Sequence, residues 1–280
     1  MQKKIAVIND IAGYGRCAMT VLLPIISYLG VQACPLPTSI FSSNTAFPDF
    51  FMDDYTDRME AYIESWEKIG LQHKFDGIAT GYLGSVRQIE IVRRFVRKFS
   101  GEGTLVIVDP VMGDHGRLYS AYTAELCTEL RKLVALADIV TPNLTEACHL
   151  ADMPYKKSGW KRTELSAMAE QLSVMGPSCV VITGIPQGEY IANYVYVKTG
   201  SEDPTARLIR VHRAGEERCS TGDVFTAIIA ADAVNGVPFD RSVRKAAGFV
   251  KRCVEAAVEL GTPHAEGVPY ETVLYRLGRR

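Results

Sequence analysis

The chain has 280 residues, 47% of them hydrophobic and 22% charged, with a formal net charge of −1. That length admits one large α/β domain or two small ones, and the composition is that of an ordinary globular protein. The near-zero charge leaves no electrostatic case for nucleic acid or an anionic membrane, and no apolar run approaches the ~20 residues of a membrane span.

The first apolar run, residues 5–8, is short and continuous, as in a strand buried on both faces. It is too short for the core of a signal peptide, so the expected compartment is the cytoplasm. Asn9-Asp10 and Gly13-Tyr14-Gly15 follow it. Residues 18–29 read as a helix, with Met19, Leu22, Leu23, Ile26 and Leu29 on one side and Gly30 as the stop. Residues 31–34 are a second strand candidate. This β-α-β opening sets polar residues and glycines at a strand end, where open α/β sheets bind ligands. Gly-Tyr-Gly lacks the third glycine and the later acidic residue of a dinucleotide fingerprint, so that reading is rejected. Residues 35–49 are rich in Ser, Thr, Asn and Pro and are expected to be irregular. Phe41-Ser42-Ser43-Asn44-Thr45 within them is either plain surface or a substrate loop carrying hydroxyls.

Residues 55–69 are helical, with Met59, Tyr62, Ile63 and Trp66 on one face. Residues 77–82 form a strand that turns on Gly81, and a helix follows with Ile89, Val92, Val96 and Phe99 aligned. Residues 104–108 are another buried strand, ending in Asp109-Pro110 and a glycine-punctuated loop to Tyr119. Asp109 and Asp114 near one strand end suggest a magnesium neighbourhood. His115, a single histidine without partners, reads as a solvated loop residue. Residues 126–136 are helical, and residues 139–141 are a strand running into Pro142-Asn143-Leu144-Thr145-Glu146. Asn143 and Glu146 share one helix face at that strand end, at a spacing that also suits a plain capping box. After a helix at 162–175, a strand at 179–182 ends in Thr183-Gly184. Residues 190–198 and 207–212 alternate and are expected to pair antiparallel at a sheet edge.

The most informative stretch is Arg218-Cys219-Ser220-Thr221-Gly222-Asp223-Val224-Phe225. A small polar turn enters an apolar helix that carries Val224, Phe225, Ile228 and Ile229 and stops at Asn235-Gly236 and Pro238. Unpaired amides and the positive dipole end at such a helix start suit an anion. A carboxylate there repels a phosphate that is merely bound. It makes sense where a phosphoryl group moves onto a hydroxyl whose proton the carboxylate accepts. The alternative is that Asp223 only caps the helix. Residues 241–260 are a long final helix. The seven cysteines (Cys17, Cys34, Cys127, Cys148, Cys179, Cys219, Cys253) are odd in number and lack a C-x-x-C pair, which argues against zinc or a disulfide framework. No linker or repeat divides the chain, so residues 1–280 are expected to form a single domain.

Together, Gly13-Tyr14, Phe41 to Thr45, Thr80-Gly81-Tyr82-Leu83, Asp109 to Asp114, Ala137 to Asn143, Val180 to Thr183 and Ser220 to Asp223 resemble the ribokinase-like superfamily and, within it, the pyridoxal kinases. The resemblance covers nearly the whole length. It implies a three-layer α/β sandwich, with a mostly parallel central sheet flanked by helices and one antiparallel edge. It also implies transfer of the ATP γ-phosphoryl group to the hydroxymethyl group of pyridoxal, pyridoxine or pyridoxamine. By resemblance, Asp223 matches the catalytic base, and Ser220, Thr221 and Gly222 match the anion hole. Thr45 and Tyr82 match vitamer-binding positions. Asp114, Tyr119, Asn143 and Thr183 match the nucleotide side, and Asp109 and Glu146 the magnesium neighbourhood. Magnesium, a monovalent cation such as potassium, and a homodimer are implied in the same way. Two departures stand out. Ser220 occupies a position that is usually glycine, and the stretch Ile8-Asn9-Asp10-Ile11-Ala12 differs from the Ser-containing one of animal pyridoxal kinases, leaving Asp10 to pair with the ring nitrogen. A kinase for hydroxymethylpyrimidine or a small sugar, and a vitamer- or nucleotide-binding protein without turnover, are the competing readings. The helix dipole is expected to keep Asp223 ionised without any raised pKa.

Overall fold

The computed structural model describes residues 2–119, 122–198, 200 and 203–278. The chain opens with β1 (Lys4–Tyr14), α1 (Met19–Tyr28), β2 (Gln32–Ser43), β3 (Met52–Asp54) and α2 (Thr56–Lys68). It continues with β4 (Gly77–Thr80), α3 (Val86–Phe99), β5 (Leu105–Val108) and a small hairpin of β6 (Gly113–Asp114) and β7 (Arg117–Leu118). Then come α4 (Ala124–Val134), β8 (Ile139–Val140), α5 (Leu144–Leu150), α6 (Arg162–Met175) and β9 (Cys179–Gln187). β10 (Tyr190–Val197), β11 (Thr205–His212), α7 (Thr221–Val234) and α8 (Phe239–Glu259) complete the layers.

Nine strands form one sheet in the order β11-β10-β9-β8-β5-β4-β1-β2-β3. From β2 across to β9 every neighbouring pair is parallel. The expected antiparallel edge is present as β9-β10-β11. A second antiparallel pair, β2-β3, closes the opposite edge. Period-two alternation divides the core between the two faces. Ile5 and Val7 pack with α1, α7 and α8, whereas Ala6 and Ile8 pack in the cluster that contains α2 to α6.

Residues 35–43 are not irregular as expected, because β2 runs on to Ser43. Pro35 and Pro37 mask it in the sequence. They are tolerated because β3 pairs only with Ser39, Ile40 and Phe41, so β2 is an outer strand at both prolines. β1 is likewise longer than its apolar run, and its register with β2 shifts between Asn9 and Ile11. Such an irregularity re-aims side chains at the end of a ladder, and Asp10 sits at it. Pro24 lies inside α1 and cannot donate to the Thr20 carbonyl one turn back. The Tyr270 hydroxyl supplies that bond at 2.8 Å, which ties the C-terminal segment to α1.

α7 is the pivot. Its residues from Val224 to Asp232 are all buried, between α1 on one side and α8 on the other. A helix apolar all round is a core helix, so its first turn is held rigidly at the carboxyl edge of the sheet.

Candidate active site

Ser220 is the N-cap of α7, with φ 69° and ψ 5°, but its side chain makes no capping bond. The first amides of a helix have no partner within it. At Gly222 the space where a side chain would stand is empty to 4 Å, so the turn is open to an incoming anion. Asp223 does not cap its own helix. Its carboxylate accepts from the Ala18 amide at 2.9 Å, across 205 residues of sequence. Burial pushes the Asp223 carboxyl up to about 6, against the pull of the Ala18 amide and the Cys17 thiol. The expectation that the helix dipole alone would leave its pKa ordinary is therefore corrected: desolvation outweighs the dipole here. A group at about 6 is still mostly ionised at neutral pH, and it holds a proton more readily than a free aspartate does.

One turn further along α7, the Thr226 hydroxyl donates to Asp109 Oδ2 at 2.8 Å and lies 3.1 Å from the Thr141 hydroxyl. Burial pushes Asp109 up to about 7, and the Asp223 charge adds to it. Glu146 is raised as well, by its burial and then by Asp109. It forms a capping box with Asn143 at the start of α5, as the spacing allows. Its two carboxylate oxygens accept the Asn143 amide at 2.8 Å and the Met112 amide at 3.2 Å. Carboxyls raised in this way sit where a hard dication would favour their charged forms. The donors are oxygens, as magnesium requires. Asp109 would be the freer ligand, with one oxygen bonded to Thr226, because both oxygens of Glu146 accept from backbone amides.

The β6-β7 hairpin lies over this cluster. The Asn143 side chain donates to the Gly113 carbonyl at 2.9 Å, and the Thr145 hydroxyl accepts from the Gly116 amide at 2.8 Å. Asp114 is on β6, and Tyr119 follows β7. The Tyr119 phenol is raised by desolvation and then by the charges of Glu146, Asp114, Asp109 and Asp223, so it belongs to the same neighbourhood. His115 is exposed, with Nε2 3.2 Å from Glu217. Thr183 lies beside Asn143 through a parallel bridge, its amide donating to the Pro142 carbonyl at 2.8 Å.

On the other side of Asp223, Asp10 is buried and is pushed up to about 7, first by desolvation and then by the Asp223 charge. Burial raises the Tyr82 phenol, and the charges of Asp10 and Asp54 add to it. The Asn9 side chain holds the two segments together, its Oδ1 accepting from the Asp10 amide at 3.0 Å and the Tyr82 amide at 2.8 Å. A side chain at Gly81 would begin 2.6 Å from Asn9 Cγ, so only glycine lets β4 turn there. Thr45 is exposed, whereas its neighbour Asn44 is buried, its Oδ1 accepting from the Ala46 amide at 3.0 Å and its side chain facing the Cys219 thiol.

Sequence reasoning missed Thr226 and the Ala18 amide as parts of the site. Asn9 and Asn44 stood inside motifs already singled out. Thr226 had a usable signal, since it is three residues beyond Asp223 on the same helix face. A backbone amide has no signal at all.

A mostly parallel sheet whose carboxyl edge carries an open helix N-terminus, a held carboxylate and an oxygen-rich acidic cluster defines a kinase of ribokinase-like fold. The sequence profile of the phosphomethylpyrimidine kinase family matches residues 23–267. The chain belongs to that family. It is similar to the crystal structure of a putative phosphomethylpyrimidine kinase from Bacteroides thetaiotaomicron VPI-5482, at 38% identity and a TM-score of 0.93, over 99% of this chain and 94% of that one. An orthorhombic form of that protein with pyridoxal gives 37% identity and a TM-score of 0.90, over 99% and 96%. The pyridoxine/pyridoxal/pyridoxamine kinase of Bordetella avium (strain 197N) is 27% identical over 242 residues, 85% of this chain and 79% of that protein.

Proposed function

We propose that the chain transfers the γ-phosphoryl group of ATP to the hydroxymethyl group of pyridoxal, pyridoxine or pyridoxamine, the chemistry of vitamin B6 salvage. The observation that carries this reading is the Asp223 carboxylate, held at 2.9 Å by the Ala18 amide from a distant segment instead of by its own helix start. A mere cap does not need that bond. The Bacteroides relative with pyridoxal and the B6-kinase name of the Bordetella relative support the choice of acceptor.

In this reading the substrate hydroxyl lies between Asp223 and the α7 N-terminus. Its oxygen forms a bond to the γ-phosphorus as the bond to the bridging oxygen of ADP breaks. The hydroxyl proton passes to Asp223. The amides at Ser220, Thr221 and Gly222 face the negative charge of the transferring group. Magnesium would neutralise phosphate charge beside Asp109 and Glu146, and a monovalent cation such as potassium completes the proposed ion set. Asp114, Tyr119, Asn143 and Thr183 border the nucleotide; Asp10 and Tyr82 border the vitamer ring, and Thr45 the loop beside it. Near pH 7 Asp10 and a pyridine nitrogen can share one proton, which gives a directional contact to the ring.

We further propose a single domain acting in the cytoplasm as a homodimer. Among the described residues no helix is long and apolar enough to cross a membrane. Phe50, Phe51, Met52 and Ile40 are exposed together at the β2-β3 edge, a surface suited to a second copy. Sedimentation at a single monomer mass across micromolar concentrations would exclude the dimer.

The competing acceptor is a pyrimidine, since the family description names a phosphomethylpyrimidine. An ATP-consumption assay against the three vitamers, hydroxymethylpyrimidine and ribose decides between them. The expected result is turnover with at least one vitamer at a higher kcat/KM than with the pyrimidine or the sugar. A preference for the pyrimidine would reassign the substrate, and silence on the whole panel would leave a binding protein.

A further inference from the structure

Two non-glycine residues with positive φ, Ala18 at 49° and Ser220 at 69°, lie on either side of Asp223. A positive φ is costly at a residue that carries a side chain and persists only where the surroundings over-determine it. The structure provides those surroundings. The Ser220 hydroxyl turns away from the anion turn and donates to the Arg16 carbonyl. Two residues after Arg16, the Ala18 amide donates to Asp223. Three residues before Asp223 stands Ser220 itself. The contacts thus close a ring: Ser220 to Arg16, along the chain to Ala18, across to Asp223, and back through the first turn of α7.

A third segment seals the ring. The Arg16 amide donates to the Glu266 carbonyl at 3.0 Å, and its guanidinium Nε donates to the Glu271 carboxylate at 2.8 and 2.9 Å. Gly267, at φ 72°, packs directly on the Ser220–Arg16 bond. A side chain there would begin 2.5 Å from the Arg16 carbonyl oxygen and 2.8 Å from Ser220 Oγ.

We propose that Ser220 is a positioning residue for the reaction: its hydroxyl, locked onto the Arg16 carbonyl under Gly267, fixes the Ala18 amide that aims Asp223 at the acceptor hydroxyl. This deepens, and rests on, the reading of Asp223 as the base. The serine side chain is a strut to the β1-α1 turn, not a phosphate donor, and its amide stays free for the anion.

The test compares wild type with Ser220→Ala and Ser220→Gly, because both lose the hydroxyl but only glycine relieves the backbone. Steady-state kinetics with pyridoxal and ATP are read beside hydrogen exchange at the Ala18 amide, which needs no activity. One hydrogen bond of this kind corresponds to roughly a two- to tenfold effect. Both variants are expected to lose about that factor in kcat, with both KM values within about twofold of wild type, and to exchange Ala18 faster. Gly267→Ala, which pushes on the strut from the other side, is expected to do the same while core amides of β4 and β5 stay protected. If Ser220→Gly keeps wild-type kcat and wild-type Ala18 exchange, the strut is refuted. If kcat holds while KM for ATP rises, the hydroxyl serves the nucleotide instead. A wild type silent with every vitamer defeats the functional reading alone, and Ala18 exchange then decides the strut by itself.

Discussion

At the scale of single residues, the site buries carboxyls beside one another, and burial with their mutual repulsion raises Asp10, Asp109 and Glu146. Asp10 shows the consequence most simply. Its carboxyl rises from an unfolded value near 3.8 to about 7 in the fold. A raised carboxyl binds its proton more tightly when folded. The associated stability is therefore fully present below about pH 3.8 and is lost as pH rises through about 7. Asparagine at this position cannot ionise. Asp10→Asn should melt at a higher temperature than wild type at pH 8, with a clearly smaller gain at pH 5, while KM for the vitamer rises. Thermal melts at the two pH values check this, and equal gains at both would show that the Asp10 charge is not strained. A stabilising change that costs function is the usual signature of a binding group.

At the scale of elements, α7 transmits packing to chemistry. Asp232 near its C-terminal end is 2% exposed, and its Oδ1 is paired with Lys245 of α8 at 2.8 Å. The other carboxylate oxygen has no partner. Lys245→Ala would strand a buried charge and should destabilise by roughly 3–5 kcal/mol. Asp232→Asn should cost less, because the partly exposed Lys245 can turn to solvent. Urea unfolding of both variants gives the order, and a larger loss for Asp232→Asn would contradict it. The elements that carry this packing were legible in the sequence, since helical spacing marked α3, α6, α7 and α8. β3, only three residues long, was not, and the prolines of β2 concealed its second half. In the site, the carboxylates stood out because their chemistry resides in their side chains. The Ala18 amide and the Arg16 carbonyl were invisible because every residue carries such groups and only the fold aims them. The direction of the Ser220 hydroxyl depends on a left-handed backbone that no local pattern announced.

At the scale of the whole molecule, the parallel sheet gathers strand ends from across the chain onto one edge, as open α/β sheets do. The buried helix α7 then delivers one carboxylate to that edge. Everything proposed for the reaction converges on that group. The most direct measurement is kcat for pyridoxal with purified wild type and Asp223→Asn at pH 7.5, alongside the Kd for ATP. Removing a general base lowers turnover by roughly 10²–10⁴-fold. The account predicts a loss in that range, with ATP affinity changed by no more than about twofold. Turnover within a few-fold of wild type would contradict it and reduce Asp223 to a structural tie between α7 and the β1-α1 turn.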